Sequence, residues 1–245
     1  MAKIVVIVRT LNERKHIERF CRGYAWADKI LVADGGSEDN TIHLALQFPN
    51  VEIREYHVRA ERNGLWRNPE GAHINFLIDW ANEESAEWIV MDDCDSTPNY
   101  TLQLAARQIF EGCASDSMWM LRMYLYGTDK WFNTLTGTTV PPQKTLNGRP
   151  VDWYGLWGWR ADVGLRWWEG DPWTMTLIEP NVIKAGTITK CRIDYPSCLL
   201  HYFCLDDEET LRKWTFYKQT TGNHRMQHPL EANGPLELLP EWAHP

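Results

Sequence analysis

Asp92, Asp93 and Asp95 fall within four consecutive positions, directly after the apolar run Trp88 to Met91. Such a run reads as a buried strand, and the C-terminal end of a strand is where open α/β sheets bind ligands. Carboxylates packed this closely repel one another, and a hard divalent cation relieves the repulsion. The same residues also suit a solvated acidic turn ahead of a helix starting near Asn99. Their emergence straight from apolar sequence favours the metal.

A second cluster, Asp34 to Thr41 (Asp-Gly-Gly-Ser-Glu-Asp-Asn-Thr), follows another apolar run, Ile30 to Ala33. A carboxylate at a strand end, followed by glycines that let a ligand approach the backbone, suits the hydroxyls and ring N–H of a nucleoside. A tight turn in which Asp34 and Asp39 cap a helix accounts for the same residues, and both readings stand. Cys198, His201 and Cys204 recur at every third position near Cys191, a set able to ligate zinc. Strand alternation, however, puts His201 on the face opposite Cys198 and Cys204. The six cysteines include no C-x-x-C pair, which predicts reduced thiols in a chain too long to need a disulfide framework.

The elements that must position these groups alternate between strand and helix, the pattern of a largely parallel sheet. Ile4 to Val8 reads as a first strand. A helix from about Glu13 would turn Ile17, Phe20, Cys21 and Tyr24 inward. Ile30 to Ala33 is the second strand, a short helix carries Ile42, Ala45 and Leu46, and Val51 to Ile53 is a third strand. Ile74, Leu77, Ile78 and Ala81 have helical spacing and predict a helix over Gly71 to Asn82. Trp88 to Met91 and Met118 to Tyr126 are further strands. From 127 to about 150, Gly, Thr, Pro and Asn without periodicity suggest loops or a lid. Leu199 to Phe203 reads as a late strand, followed by a helix with Asp206 to Glu209 in its first turn, Leu211 and Trp214 inside, and Gly222 as its end.

With 245 residues and 44% hydrophobic content, the chain can bury a substantial core as one domain. A net charge of −8 argues against holding polyanions through a basic surface. No apolar stretch is long enough to span a membrane and no signal-peptide pattern opens the chain, so a cytoplasmic protein is expected.

Taken together, the two acidic clusters form a recognisable pattern. The chain resembles the family 2 glycosyltransferases: Val5 to Glu13 (Val-Val-Ile-Val-Arg-Thr-Leu-Asn-Glu) is similar to their opening strand and Asn-Glu turn. Ile30 to Thr41 is similar to their second strand and Asp-Gly-x-Ser-x-Asp-x-Thr signature, and Asp93-Cys94-Asp95 to their Asp-x-Asp motif. The resemblance covers about the first 125 residues. It implies a GT-A type fold, a mixed and mostly parallel α/β sheet flanked by helices in a single domain. Residues 1–126 would bind the nucleotide sugar, and residues 127–245 the acceptor.

The resemblance also implies site residues. Thr10, Asn12, Glu13, Asp34 and Gly35 would meet the nucleoside, typically uridine, while Asp93 and Asp95, with Asp92 able to share, would hold manganese or magnesium on the sugar diphosphate. Many relatives carry an Arg-Asn pair on the helix before the metal motif. Here Ile74 precedes Asn75, leaving Arg62, Arg67 or His73 to replace the phosphate contact. His201, in Leu-Leu-His-Tyr-Phe, is similar to a late histidine that approaches the metal in some relatives; a hydrogen-bonded structural histidine is the alternative. The family's inverting chemistry needs a carboxylate base, for which Asp171 is the first candidate and Glu169 the second, although either also suits a turn before Gly or Pro. Trp153, Tyr154, Trp157, Trp159, Trp167, Trp168 and Trp173 would stack on a sugar or base, or fill the core; most are expected to be buried.

The implied activity is transfer of a sugar from a nucleoside diphosphate sugar to an acceptor hydroxyl. A sugar nucleotidyltransferase would share the sheet and metal but usually opens with a glycine-rich loop, which Val8 to Glu13 lacks. A noncatalytic carbohydrate-binding protein would not need three clustered acids. The acceptor is left open among a glycan, a lipid-linked sugar, a protein side chain, a small metabolite and a modified nucleobase.

Overall fold

The structure is a computed structural model, and it describes residues 1–62, 65–67, 69–126, 130–132, 154–167, 169, 188–193, 196–204, 206, 208, 211, 215 and 236–238. In chain order the elements are β1 (Ile4–Thr10), α1 (Ile17–Gly23), β2 (Lys29–Asp34), α2 (Thr41–Ala45), β3 (Val51–Glu55), β4 (Ala60–Arg62), β5 (Leu65–Arg67), α3 (Glu70–Glu83), β6 (Trp88–Met91), β7 (Ser96–Pro98), α4 (Tyr100–Gly112), β8 (Ser117–Tyr126), β9 (Lys130–Phe132), β10 (Tyr154–Arg160), β11 (Lys190–Ile193), β12 (Leu199–Cys204) and β13 (Leu236–Leu238).

β1 is apolar from Ile4 to Val8 because helices cover both faces of the sheet. Ile4, Val6 and Val8 join Ile30 and Val32 against Ile17, Phe20 and Cys21 of α1 and Leu102, Ala106 and Phe110 of α4. Val5 and Ile7 join Leu31 and Ala33 on the other face, against Ile74, Leu77, Ile78 and Ala81 of α3. Strand alternation thus sorts one run of β-branched residues into two cores.

Four parallel strands run in the order β3-β2-β1-β6, and the second half adds β10 antiparallel to β6 and β8 antiparallel to β10. β11 and β12 pair in parallel with β8, and β12 also pairs antiparallel with β7. This mixed sheet flanked by helices is the expected architecture. The chain leaves β1 through α1 on one face and reaches β6 through α3 on the other. Their C-terminal ends therefore flank a topological switch point, the place where open α/β sheets bind ligands.

Local differences from the sequence reading have simple causes. The first helix begins at Ile17 because a turn comes first, with the Glu13 carbonyl accepting from the amides of His16 and Ile17. α2 stops at Ala45, so its buried stripe is Thr41 and Ala45, and Leu46 just beyond it is 60% exposed. Leu211, expected inside, is 52% exposed, and Glu208 and Thr215 are exposed as well. Trp214 and Gly222 lie outside the described residues, as does the segment 133–153. Asn99 caps α4, its Oδ1 accepting from the Leu102 amide at 3.1 Å. Trp157, Trp159 and Trp167 are buried as expected; Trp153, Trp168 and Trp173 and the Tyr154 side chain lie outside the description. Among the described residues no helix is long and apolar enough to cross a membrane.

Candidate functional site

β1, β2 and β6 deliver their C-terminal ends side by side, with Thr10 in register with Asp34. The loops after β1 and β2 are stitched together by short polar side chains. Asp34, 2% exposed, accepts at Oδ1 from the hydroxyls of Thr10 (2.9 Å) and Ser37 (2.6 Å), and at Oδ2 from the amides of Gly36 (2.9 Å) and Ser37 (2.7 Å). The Gly35 amide donates to the Thr10 carbonyl at 2.8 Å.

Asn12 has φ of 59°, a left-handed conformation that asparagine tolerates. There its amide donates to Ser37 Oγ (2.8 Å) and its Oδ1 accepts from the Glu38 amide (2.9 Å). The Glu13 amide donates to Thr41 Oγ1 at 2.7 Å, and the Arg14 amide to Asp39 at 3.2 Å. Asp34 thus closes the turn without capping a helix, and only Asp39 reaches α2, accepting from the Thr41 amide at 2.9 Å. Gly36 has φ of 95°, and a Cβ there would lie 2.3 Å from Arg59 Nη2. That guanidinium closes the turn by donating to the Gly35 carbonyl at 3.0 Å.

The acids after β6 divide by environment. Asp92 turns inward, its side chain 0% exposed. Its Oδ2 accepts from Tyr24 Oη at 2.7 Å, and its Oδ1 from Arg122 Nη2 at 2.8 Å and the Asp93 amide at 3.0 Å. Trp157 Nε1 donates in turn to Tyr24 Oη at 3.1 Å. Burial pushes the Asp92 carboxyl up to about 6, against the pull of Arg122. Asp93 points the other way. Protein crowds around it and the burial raises its carboxyl, yet the side chain is 49% exposed and Arg122, with His201 and Arg9, brings it below the usual carboxylate range.

Asp93, Asp95 and His201 each offer a ligand atom, all within 4.8 Å of one another. β7 and β12 arrange this, because their pairing puts His201 opposite Ser96, whose Oγ lies 2.8 Å from His201 Nδ1. The Tyr202 amide donates to the Asp95 carbonyl at 2.7 Å, and Asp95 Oδ1 is 3.6 Å from His201 Nδ1. Two carboxylates and an imidazole form a donor set able to hold a divalent cation. Asp92 is not part of this group. Cys198 faces away, its Sγ 3.8 Å from Met123 Sδ, and the Cys204 side chain lies outside the description.

Asn75 uses its amide on another segment: Oδ1 accepts from the Trp167 amide at 2.8 Å, and Nδ2 donates to the Trp167 carbonyl at 2.9 Å and to Glu169 Oε1. This places the exposed Glu169 over α3. Asp171 lies outside the described residues, as do the side chains of Arg62 and Arg67, which belong to the β4–β5 hairpin.

His73 is 2% exposed and stacks on Tyr56, ring centroids 4.1 Å apart, while its Nε2 lies 3.0 Å from the Ala33 carbonyl. Burial, helped by the charge of Arg9, lowers its pKa to about 3, so the ring is neutral and Nε2 donates. The unfolded chain binds a proton at His73 below about pH 6.5 that the folded chain refuses, so this group's contribution falls as pH drops toward 3. Urea unfolding of wild type and His73→Gln is therefore expected to show the wild-type advantage shrinking by about 2 kcal/mol between pH 6.5 and 5. A pH-independent gap would refute the neutral assignment. Taking the difference removes Asp92, whose raised pKa contributes with opposite sign over about pH 4 to 6.

Tyr24, Arg122 and Arg9 are members of the site that the sequence reading missed, while Trp157, one of the expected aromatic set, reaches it through Tyr24. Only Arg122 carries a signal, as the one charge in the apolar strand Met118 to Leu125, where a buried cation demands acids.

No family profile and no curated protein matches this chain. Solved structures do. Staphylococcus aureus TarS superposes with a TM-score of 0.54 at 16% identity, over 94% of this chain and 41% of that one. TarS 1-349 in complex with UDP gives 0.52 at 16% identity, over 94% of this chain and 68% of the other. The chain thus spans less than half of the longer TarS structure. The likeness establishes the fold: the chain folds as TarS does, with the mixed, mostly parallel, helix-flanked sheet of the GT-A type.

Proposed function

We propose that the chain is a glycosyltransferase that moves a sugar from a UDP-linked donor to an acceptor hydroxyl, with manganese or magnesium and with inversion. The observation that carries this reading is the convergence of Asp93, Asp95 and His201 at a switch point beside the Asp34 loop. TarS 1-349, which shares the fold, was crystallised with UDP.

In this reading the stitched corner formed by Thr10, Asn12, Glu13, Asp34 and Gly35 receives the nucleoside. Asp93, Asp95 and His201 hold the cation, which when bound stabilises charge on the departing diphosphate. Asp92 fixes the turn from behind. The acceptor oxygen attacks the anomeric carbon as the bond to diphosphate breaks, and Asp171 or Glu169 takes its proton. Residues 1–126 then serve the donor, and residues 127–245 the acceptor. His73 acts by holding Tyr56 and Ala33, and the phosphate contact falls to Arg62, Arg67 or Arg9.

A melting experiment with UDP, UDP-glucose and UDP-N-acetylglucosamine, with and without manganese, tests this. Ligand at a hundredfold excess over Kd stabilises the folded state by about 2.7 kcal/mol, a rise of roughly 5–11 °C at this size. The expected result is a rise that needs both nucleotide and metal. No rise with any of them would overturn the reading.

A further inference from the structure

We propose that Arg122 is a resident counter-cation of the acidic cluster, one that bars a bare divalent ion and admits an ion arriving with a diphosphate. The inference rests on the reading of Asp93, Asp95 and His201 as metal ligands. Arg122 projects from β8, and its guanidinium forks across two acids of different accessibility. Nη2 donates to buried Asp92 at 2.8 Å and Nη1 to Asp93 Oδ2 at 3.0 Å. The Arg122 side chain is 17% exposed and that of Asp92 0%, so the inner half of the fork is enclosed. The other oxygen of Asp93 lies 4.0 Å from Arg9 Nη2, and Arg9 is itself paired with Glu70 at 2.8 Å.

A cation seated on Asp93 therefore shares Oδ2 with Arg122 or sits on Oδ1 next to Arg9, and the bond to Asp92 keeps the Arg122 charge beside it. Counting Glu70 on Arg9, four carboxylates are opposed by two guanidiniums, and both of those cations already flank Asp93 when the ion arrives. That is a poor site for the ion alone. A diphosphate supplies further negative charge and gives the loosened Nη1 a new acceptor, so ion and diphosphate favour each other's binding. By linkage, the factor by which one tightens the other is the same in both directions.

The test is titration of manganese, followed by the electron paramagnetic resonance signal of the free ion, with and without UDP. Wild type is expected to bind manganese at least about tenfold more tightly when UDP is present. Arg122→Gln is expected to bind manganese alone at least about fivefold more tightly than wild type, with the UDP effect reduced to under about threefold. Arg122→Lys, which keeps the charge, should behave like wild type, and circular dichroism melts check that each variant is folded.

Two results would overturn the proposal. One is equal manganese affinity of wild type with and without UDP, which decides the matter even if Arg122→Gln does not fold. The other is unchanged or weaker manganese binding by folded Arg122→Gln. In both cases, loss of manganese binding in Asp93→Ala would show that the metal reading itself survives. No manganese binding by any form, with or without UDP, would remove that reading and this inference with it.

Discussion

Asp93→Ala and Asp95→Ala are each expected to abolish manganese-dependent stabilisation by UDP and to lower sugar transfer at least about 100-fold, with melting temperatures in the absence of ligand close to wild type. Local contacts preserve the fold in both variants. Asp93 is half exposed, and losing its carboxylate leaves Arg122 bonded to Asp92. Asp95 serves the fold through its carbonyl, which accepts from the Tyr202 amide and remains in alanine. Asp92→Ala should do the reverse and lower the melting temperature, since it strands Tyr24 Oη and Arg122 without their buried acceptor. Comparable transfer by Asp93→Ala and wild type would sink the metal assignment.

Asp34→Ala is expected to destabilise the protein by about 3 kcal/mol and to weaken UDP binding by roughly tenfold or more. Its two oxygens accept four hydrogen bonds, two of them from backbone amides of the turn. Alanine leaves those donors without partners in a buried corner and releases the loop that, in the proposed reading, faces the nucleoside. Asp34→Asn, with one acceptor oxygen and an NH2 facing amide donors, should fall between. Urea unfolding and UDP titration of the three proteins check both effects; a full loss of stability with unchanged UDP affinity would detach the loop from the ligand.

The sequence made the first half of the fold legible because burial on both faces writes a strong signal. Ile4 to Val8, Ile30 to Ala33 and Trp88 to Met91 could be little other than interior strands, and α3 declared itself by the spacing of four apolar residues. Three-residue strands leave no such trace. β7, Ser96 to Pro98, reads as a turn, and only its pairing with β12 shows how His201 comes to face Asp95. The insertion of β10 between β6 and β8 is likewise a matter of long-range topology. Helical ends misled where an element was shorter than its apolar pattern, as with Leu46.

Within the candidate site, clustered acids were visible but their division of labour was not. Adjacent aspartates look alike in sequence. Asp92 became a buried anchor only because Tyr24, 68 positions earlier, and Arg122, 30 positions later, meet it in three dimensions. The tyrosine was legible as a core residue and the arginine as a lone charge, but nothing in either position named the partner.

The stitching between the loops after β1 and β2 has one more consequence. A ligand lodged in that corner meets chain that is already ordered, since Asn12, Glu13, Ser37 and Thr41 hold one another before it arrives. Its association would then resemble docking to a rigid surface, with a small heat-capacity change set by the contacts themselves and without the large signature of a segment folding around its guest.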